Sequence, residues 1–198
     1  MDTQSEDAAA LIEALGAGPC HFAGLSMGGF VAMRLALRRP ELLRSIILME
    51  TSADPEPSEN IAKYRRMNFV ARWIGLRPVV GKVMPIMFGQ TFMNDPARAA
   101  ERALWRQRIL ANNRTTITRA VDGVITRQGV HDDLEQISLP TMVLVGEEDV
   151  ATVPAKAERM HAAIGGSQLV RIPRAGHTSS VEEPAAVNAA LDAFLAEI

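Results

Sequence analysis

Apolar positions recur along this chain with two different periods, and the two alternate. Ala8, Leu11, Ile12 and Leu15 fall at helical spacing within residues 4–16, with Ser5 or Asp7 placed to cap the start and Gly16 and Gly18 to end the run. Cys20 to Gly24 is a short apolar strand that runs straight into GLSMGG. Residues 27–39 return to the helical period, with Phe30, Met33, Leu35 and Ala36 facing inward and Pro40 closing the helix. Ser45 to Met49 is continuously apolar, as strands covered on both faces are. The alternation then stops. Residues 52–138 read as helices and loops with no clear strand, and they hold Trp73, Trp105 and Tyr64. It resumes with a strand at 141–145, a helix at 154–164, a strand at 168–172 and a helix at 180–197. Ser179 and Ser180, followed by Glu182 and Glu183, predict a capping box at the start of that last helix. Strands that alternate with helices predict an α/β fold with a parallel sheet.

Composition narrows this picture. A chain of 198 residues fits one domain, and its 47% apolar content can bury a core, which excludes a disordered chain. The formal net charge of -2 gives no basic face of the kind nucleic-acid binders carry. A single cysteine, Cys20, makes neither an internal disulfide nor a thiolate metal cage, and is expected in the core. The four histidines are scattered, so no metal site is expected. No apolar run is long enough to span a membrane. The acidic, amphipathic start lacks the basic region and apolar core of a signal peptide, so the expected location is the cytoplasm.

Three short segments carry candidate chemistry. Gly24-Leu25-Ser26-Met27-Gly28 lies between a strand and a helix, where a G-x-S-x-G sequence makes a nucleophile elbow. The turn lifts the Ser26 hydroxyl above the sheet, and the helix start behind it favours developing negative charge. Asp149 follows the strand ending at Val145, and His177 follows the strand ending near Ile172. Each therefore sits at the sheet edge where open α/β sheets bind ligands. A serine hydroxyl is a weak nucleophile until an imidazole takes its proton, and the imidazole needs a carboxylate to fix its tautomer. Serine, acid and histidine in that order match one hydrolase architecture. Glu50, just after the strand 45–49, is a possible alternative acid. His21 is expected to be packed, while Glu147, Glu148, His131 and His161 are expected to be solvated. Thr51 and Ser52 read as local turn formers.

With those motifs in hand, the chain resembles the alpha/beta-hydrolase family over essentially its whole length. The matching segments are GLSMGG with Ser26, GEEDVATVP with Asp149 and AGHTSSVEEP with His177. HFAGLSMGG further resembles 3-oxoadipate enol-lactonase-like and esterase-like members. The resemblance implies an alpha/beta-hydrolase core with a parallel sheet and a helical cap insert. The core is then divided between residues 1–51, with the elbow, and residues 139–198, with the acid and histidine loops, and the cap 52–138 lies between them. The resemblance also implies hydrolysis of a small ester or lactone through an acyl-enzyme, with Ser26, His177 and Asp149 as the triad, Met27 supplying an oxyanion-hole amide, and no cofactor. Carbon–carbon bond hydrolases and perhydrolases use the same triad, so these chemistries stay open.

The N-terminus departs from the family pattern. Members carry several strands before the elbow, whereas here one helix precedes it. The loop with the second oxyanion donor belongs to that region, and no His-Gly pair occurs before Ser26. The expectation is an N-terminally truncated core, from a fragment or a mis-called start. Its first strand would be left with a bare edge, open to a homodimer or to a non-catalytic association. Lys63, Tyr64, Arg65, Arg66 and Arg72 form a basic stretch that would attract an anionic substrate or simply line a solvated helix face.

Overall fold

The structure is a computed structural model that describes all residues, 1–198. Four parallel strands form one sheet in the order β1 (Cys20–Leu25), β2 (Leu43–Met49), β3 (Thr141–Gly146) and β4 (Gln168–Ile172). Successive strands are neighbours, so β1 and β4 are the two edges.

The apolar runs of β2 and β3 explain why both faces are covered. Side chains alternate across a strand. Ile46, Leu48, Val143 and Val145 point to one face, where they pack with α1 (Asp2–Ala14), α2 (Met27–Arg38) and α8 (Pro154–Ala163). Ile47, Met49, Met142 and Leu144 point to the other, against Val187 and Phe194 of α10 (Pro184–Ala196). Phe30, Met33, Leu35 and Ala36 of α2 are buried as their spacing predicts. Each of the three larger side chains contributes roughly 1.5–3 kcal/mol by leaving water.

Between β2 and β3 lie five helices and no strand: α3 (Ser58–Trp73), α4 (Arg77–Met87), α5 (Gln90–Asn94), α6 (Ala99–Leu110) and α7 (Arg114–Ile125). Val80, Met84, Phe88 and Phe92 give this segment its own small core, with Phe88 and Phe92 stacked at 4.6 Å between ring centroids. Its two ends are tied together. Val130 N–H donates to the Ala53 carbonyl at 2.8 Å, and the buried Arg127 guanidinium meets Glu56 at 2.9 Å. No helix is long and apolar enough to cross a membrane.

Several local readings are corrected. The last helix is broken in two, α9 (Ser179–Glu182) and α10, because Pro184 has no N–H and drives Glu183 out of the helical region, to φ -134° and ψ 61°. The capping box therefore does not start the long helix. Cys20 is half-buried rather than in the core, and His21 faces outward, paired with Ser45 Oγ at 2.8 Å, because β1 is an edge strand with one covered neighbour. Arg34, on the inward side of α2, is only 3% exposed. Its guanidinium donates to the Phe30 and Gln128 carbonyls, at 3.0 and 2.6 Å, and lies 3.4 Å from Asp2.

Candidate active site

Ser26 is the single residue between β1 and α2. Its backbone turns through φ 52° and ψ -109°, a region costly for any residue with a side chain. Two contacts hold it there: Ser26 N–H donates to the Met49 carbonyl at 2.8 Å, and the Thr51 hydroxyl donates to the Ser26 carbonyl at 2.7 Å. The sharp reversal brings strand and helix into backbone contact. A Cβ on Gly24 would stand 2.3 Å from the Gly28 carbonyl oxygen, so only glycine fits at that position. Met27 is the first residue of α2, and its N–H, like those of any first helical turn, lacks an intrahelical acceptor.

His177 and Asp149 arrive from the far side of the sheet. The loop after β3 folds onto the end of β4, with Glu147 N–H on the Ile172 carbonyl at 3.0 Å and Glu148 N–H on the Ala175 carbonyl at 2.8 Å. That places Asp149 Oδ2 2.9 Å from His177 Nδ1, while His177 Nε2 lies 2.8 Å from Ser26 Oγ. A carboxylate oxygen only accepts, so Nδ1 carries the proton and Nε2 presents its lone pair to the Ser26 hydroxyl. Both Asp149 and His177 are buried. Burial alone would raise the Asp149 carboxyl. The His177 and Thr152 hydrogen bonds outweigh it and hold the group below the ordinary carboxylate range. Thr152 Oγ1 donates at 2.6 Å, and the Ala151 and Thr152 amides donate to Oδ1 at 2.8 and 2.9 Å.

Glu50 lies in the same corner but in a different state. It is 0% exposed, adopts φ 43°, and neither carboxyl oxygen finds a hydrogen-bond partner. Burial, reinforced by the Asp149 and Glu182 charges, pushes its carboxyl up to about 8, against a smaller opposing pull from the nearby Ser179 hydroxyl and the Gly146 backbone. It makes no hydrogen bond to His177; the imidazole Nδ1–H donates to Asp149 instead.

Four site residues were not anticipated in these roles. Thr51 anchors the elbow rather than shaping a local turn. Glu148 is half-buried and paired rather than free in solvent: it accepts from Thr91 N–H at 2.8 Å and from the Thr91 hydroxyl at 2.5 Å. Glu182 is a buried acceptor of several backbone amides, and Thr152 is a partner of Asp149. No grouping of three or more His, Cys, Asp or Glu is placed to hold a metal ion. The histidines outside this corner lie elsewhere: His21 meets Ser45 on the neighbouring strand, and His161 meets Ser167 at 2.8 Å.

The fold that carries this corner has a counterpart among known sequences. The sequence profile of the alpha/beta hydrolase family matches residues 2–190. The chain belongs to that family. The chain is 28% identical to 3-oxoadipate enol-lactonase 2 of Acinetobacter baylyi, over 98% of its own length and 70% of the lactonase. Among solved structures it is similar to a thermophilic esterase from Thermogutta terrifontis, with a TM-score of 0.87 and 32% identity over 98% of this chain and 71% of the esterase. It is also similar to a hydrolase from Pseudomonas aeruginosa, with a TM-score of 0.84 and 29% identity over 96% of this chain and 70% of that one.

Proposed function

We propose that the chain is a serine hydrolase that cleaves a small ester or lactone through an acyl-enzyme. The reading rests on one observation, the unbroken hydrogen-bond chain from Ser26 Oγ through His177 to Asp149. Ser26 Oγ attacks the carbonyl carbon while His177 Nε2 takes its proton. Asp149 stays ionised and stabilises the imidazolium. The carbonyl oxygen gains charge beside the Met27 N–H, at the positive end of α2. As the carbon–oxygen bond breaks, His177 returns the proton to the departing alkoxide. Water then repeats the sequence: His177 takes its proton, hydroxide adds to the acyl carbon, and Ser26 leaves with the proton restored.

In this reading the helical segment 52–138 acts as a cap, residues 1–51 and 139–198 form the core, and the partner is a small uncharged or anionic acyl compound. The similarity to an enol-lactonase and an esterase supports the substrate class. A fluorophosphonate probe tests the proposal. Labelling of the wild type that is lost in both Ser26→Ala and His177→Ala is the expected result. Equal labelling of wild type and Ser26→Ala overturns it.

A second reading is favoured by the sheet itself. β1 pairs with β2 alone, leaving a row of backbone groups for another chain. Association through that edge predicts a dimer by sizing chromatography with multi-angle scattering; a monomer at every concentration sinks it.

A further inference from the structure

His177 rides on a short loop, and the two residues that flank it are both held by one side chain. Glu182 is 3% exposed. Its Oε1 accepts from Gly176 N–H at 3.0 Å and Thr178 N–H at 3.2 Å, and the Thr178 hydroxyl, whose single proton is shared with the Met87 carbonyl, lies 3.1 Å away. Its Oε2 faces the other way and accepts from Gly89 N–H at 2.7 Å, across from the helical segment. The two loops touch backbone to backbone there: a Cβ on Gly176 would lie 2.3 Å from the Gly89 nitrogen.

Further contacts lock the same junction. The Thr178 hydroxyl reaches the Met87 carbonyl at 2.8 Å. Arg98 donates to the carbonyls of Val181 and Glu182, at 3.0 and 2.7 Å, with its guanidinium over the Phe92 ring at 4.3 Å. Glu148, next to Asp149, grips Thr91 at the same place. Residues 87–91 of the helical segment thus hold both loops that bear the imidazole and its carboxylate.

We propose that Glu182 is a positioning residue for His177, clasping the imidazole loop to residues 87–91 of the helical segment so that the two move as one. This rests on the serine-hydrolase reading given above. Glu182 touches none of the reacting atoms and acts only through where it holds Gly176 and Thr178. A carboxylate is required because every partner is a donor. In Glu182→Gln one oxygen becomes an NH2 group, which faces N–H groups it cannot accept from. Displacement of a reacting group by about 1 Å costs on the order of a hundredfold in rate.

The test is the rate of Ser26 modification by a fluorophosphonate, followed to completion. Glu182→Gln is expected to lower the modification rate constant about 10- to 100-fold, with the final labelled fraction unchanged. A residue that only supports folding would instead lower the labelled fraction and leave the rate constant of the remainder intact, which overturns the proposal. A rate within about twofold of wild type overturns it as well. Glu148→Ala, whose partners lie nearer the surface, gives a second variant that keeps its fold, and a smaller slowing of about three- to tenfold is expected. If the wild type itself fails to react, the serine-hydrolase reading falls, and amide exchange then judges the clasp alone. Glu182→Gln should release the Gly89, Gly176 and Thr178 amides together. Release of the histidine loop without Gly89 overturns the coupling.

Discussion

The ends of β1 and β2 use the same backbone device for opposite purposes. Both strands finish in a residue with a side chain and a positive φ, 52° at Ser26 and 43° at Glu50. Both residues sit at the edge of the sheet where the loops after β3 and β4 converge. Ser26 remains partly exposed and its hydroxyl meets His177. Glu50 is sealed, its carboxyl has no partner, and burial keeps its proton on to about pH 8. A strained turn therefore does not by itself make a reactive group. What matters is what the neighbouring loops bring opposite it, and whether a carboxyl there is bonded, as in Asp149, or only buried, as in Glu50.

The largest expected effect lies on the Ser26 side of the comparison. Ser26→Ala should lower acyl transfer by about a million-fold, measured as single-turnover ester cleavage, because the nucleophile is gone while the fold is kept. A residual rate near that of wild type would place the chemistry elsewhere. Asp149→Asn tests the bonded acid. The amide cannot hold Nδ1–H in place, so the imidazole adopts the wrong tautomer and turnover should fall about 1,000- to 10,000-fold. If Glu50 could serve as the acid instead, this loss would shrink to a few tens at most, and Asp149→Asn would retain a pH-dependent rate.

Glu50→Gln tests the buried one. The folded carboxyl is raised from 4.5 to about 8 by burial, so between those values the native protein holds a proton that the unfolded chain has released. That stabilisation is complete below the unfolded value and is lost as pH rises through about 8. Urea midpoints should show wild type losing about 2–3 kcal/mol relative to Glu50→Gln between roughly pH 6 and pH 8.5. Parallel pH dependences for the two proteins would mean Glu50 is ionised or solvated. The smallest effect belongs to Thr51→Val, which removes the hydroxyl holding the Ser26 carbonyl. A loss of about 1 kcal/mol, seen as a roughly fivefold slower fluorophosphonate reaction, is expected.

Much of this was legible in the residues. Continuous apolar runs at 45–49 and 141–145 announce strands covered on two faces, and the structure covers both. Ser26, Asp149 and His177 each follow a strand, so a parallel sheet must bring them to one edge. What could not be read was which polar residue answers which. Glu182 looked like half of a capping box, and it does reach back to the Thr178 amide. Its second oxygen, however, is turned to Gly89, 93 positions away, and no local pattern encodes that pairing. Glu148 looked solvated for the same reason, since its partner Thr91 lies 57 positions earlier. Arg34 interrupts the apolar face of α2, and the carbonyls of Phe30 and Gln128 with the carboxylate of Asp2 explain how it is buried. Glu50 stood out by position alone; its raised carboxyl follows from complete burial, which the local sequence does not announce.

The Ser26–His177 hydrogen bond joins residues 151 positions apart. About three-quarters of the chain lies inside the loop it closes, including the long excursion between β2 and β3. Helices can form early from local contacts, but this bond cannot exist until β2 and β3 have found each other across that excursion and β4 has joined them. Such non-local pairings are the slow steps of folding. On refolding from urea, helical circular dichroism should therefore return before fluorophosphonate reactivity does. The lag between the two is a clock for closure of the sheet.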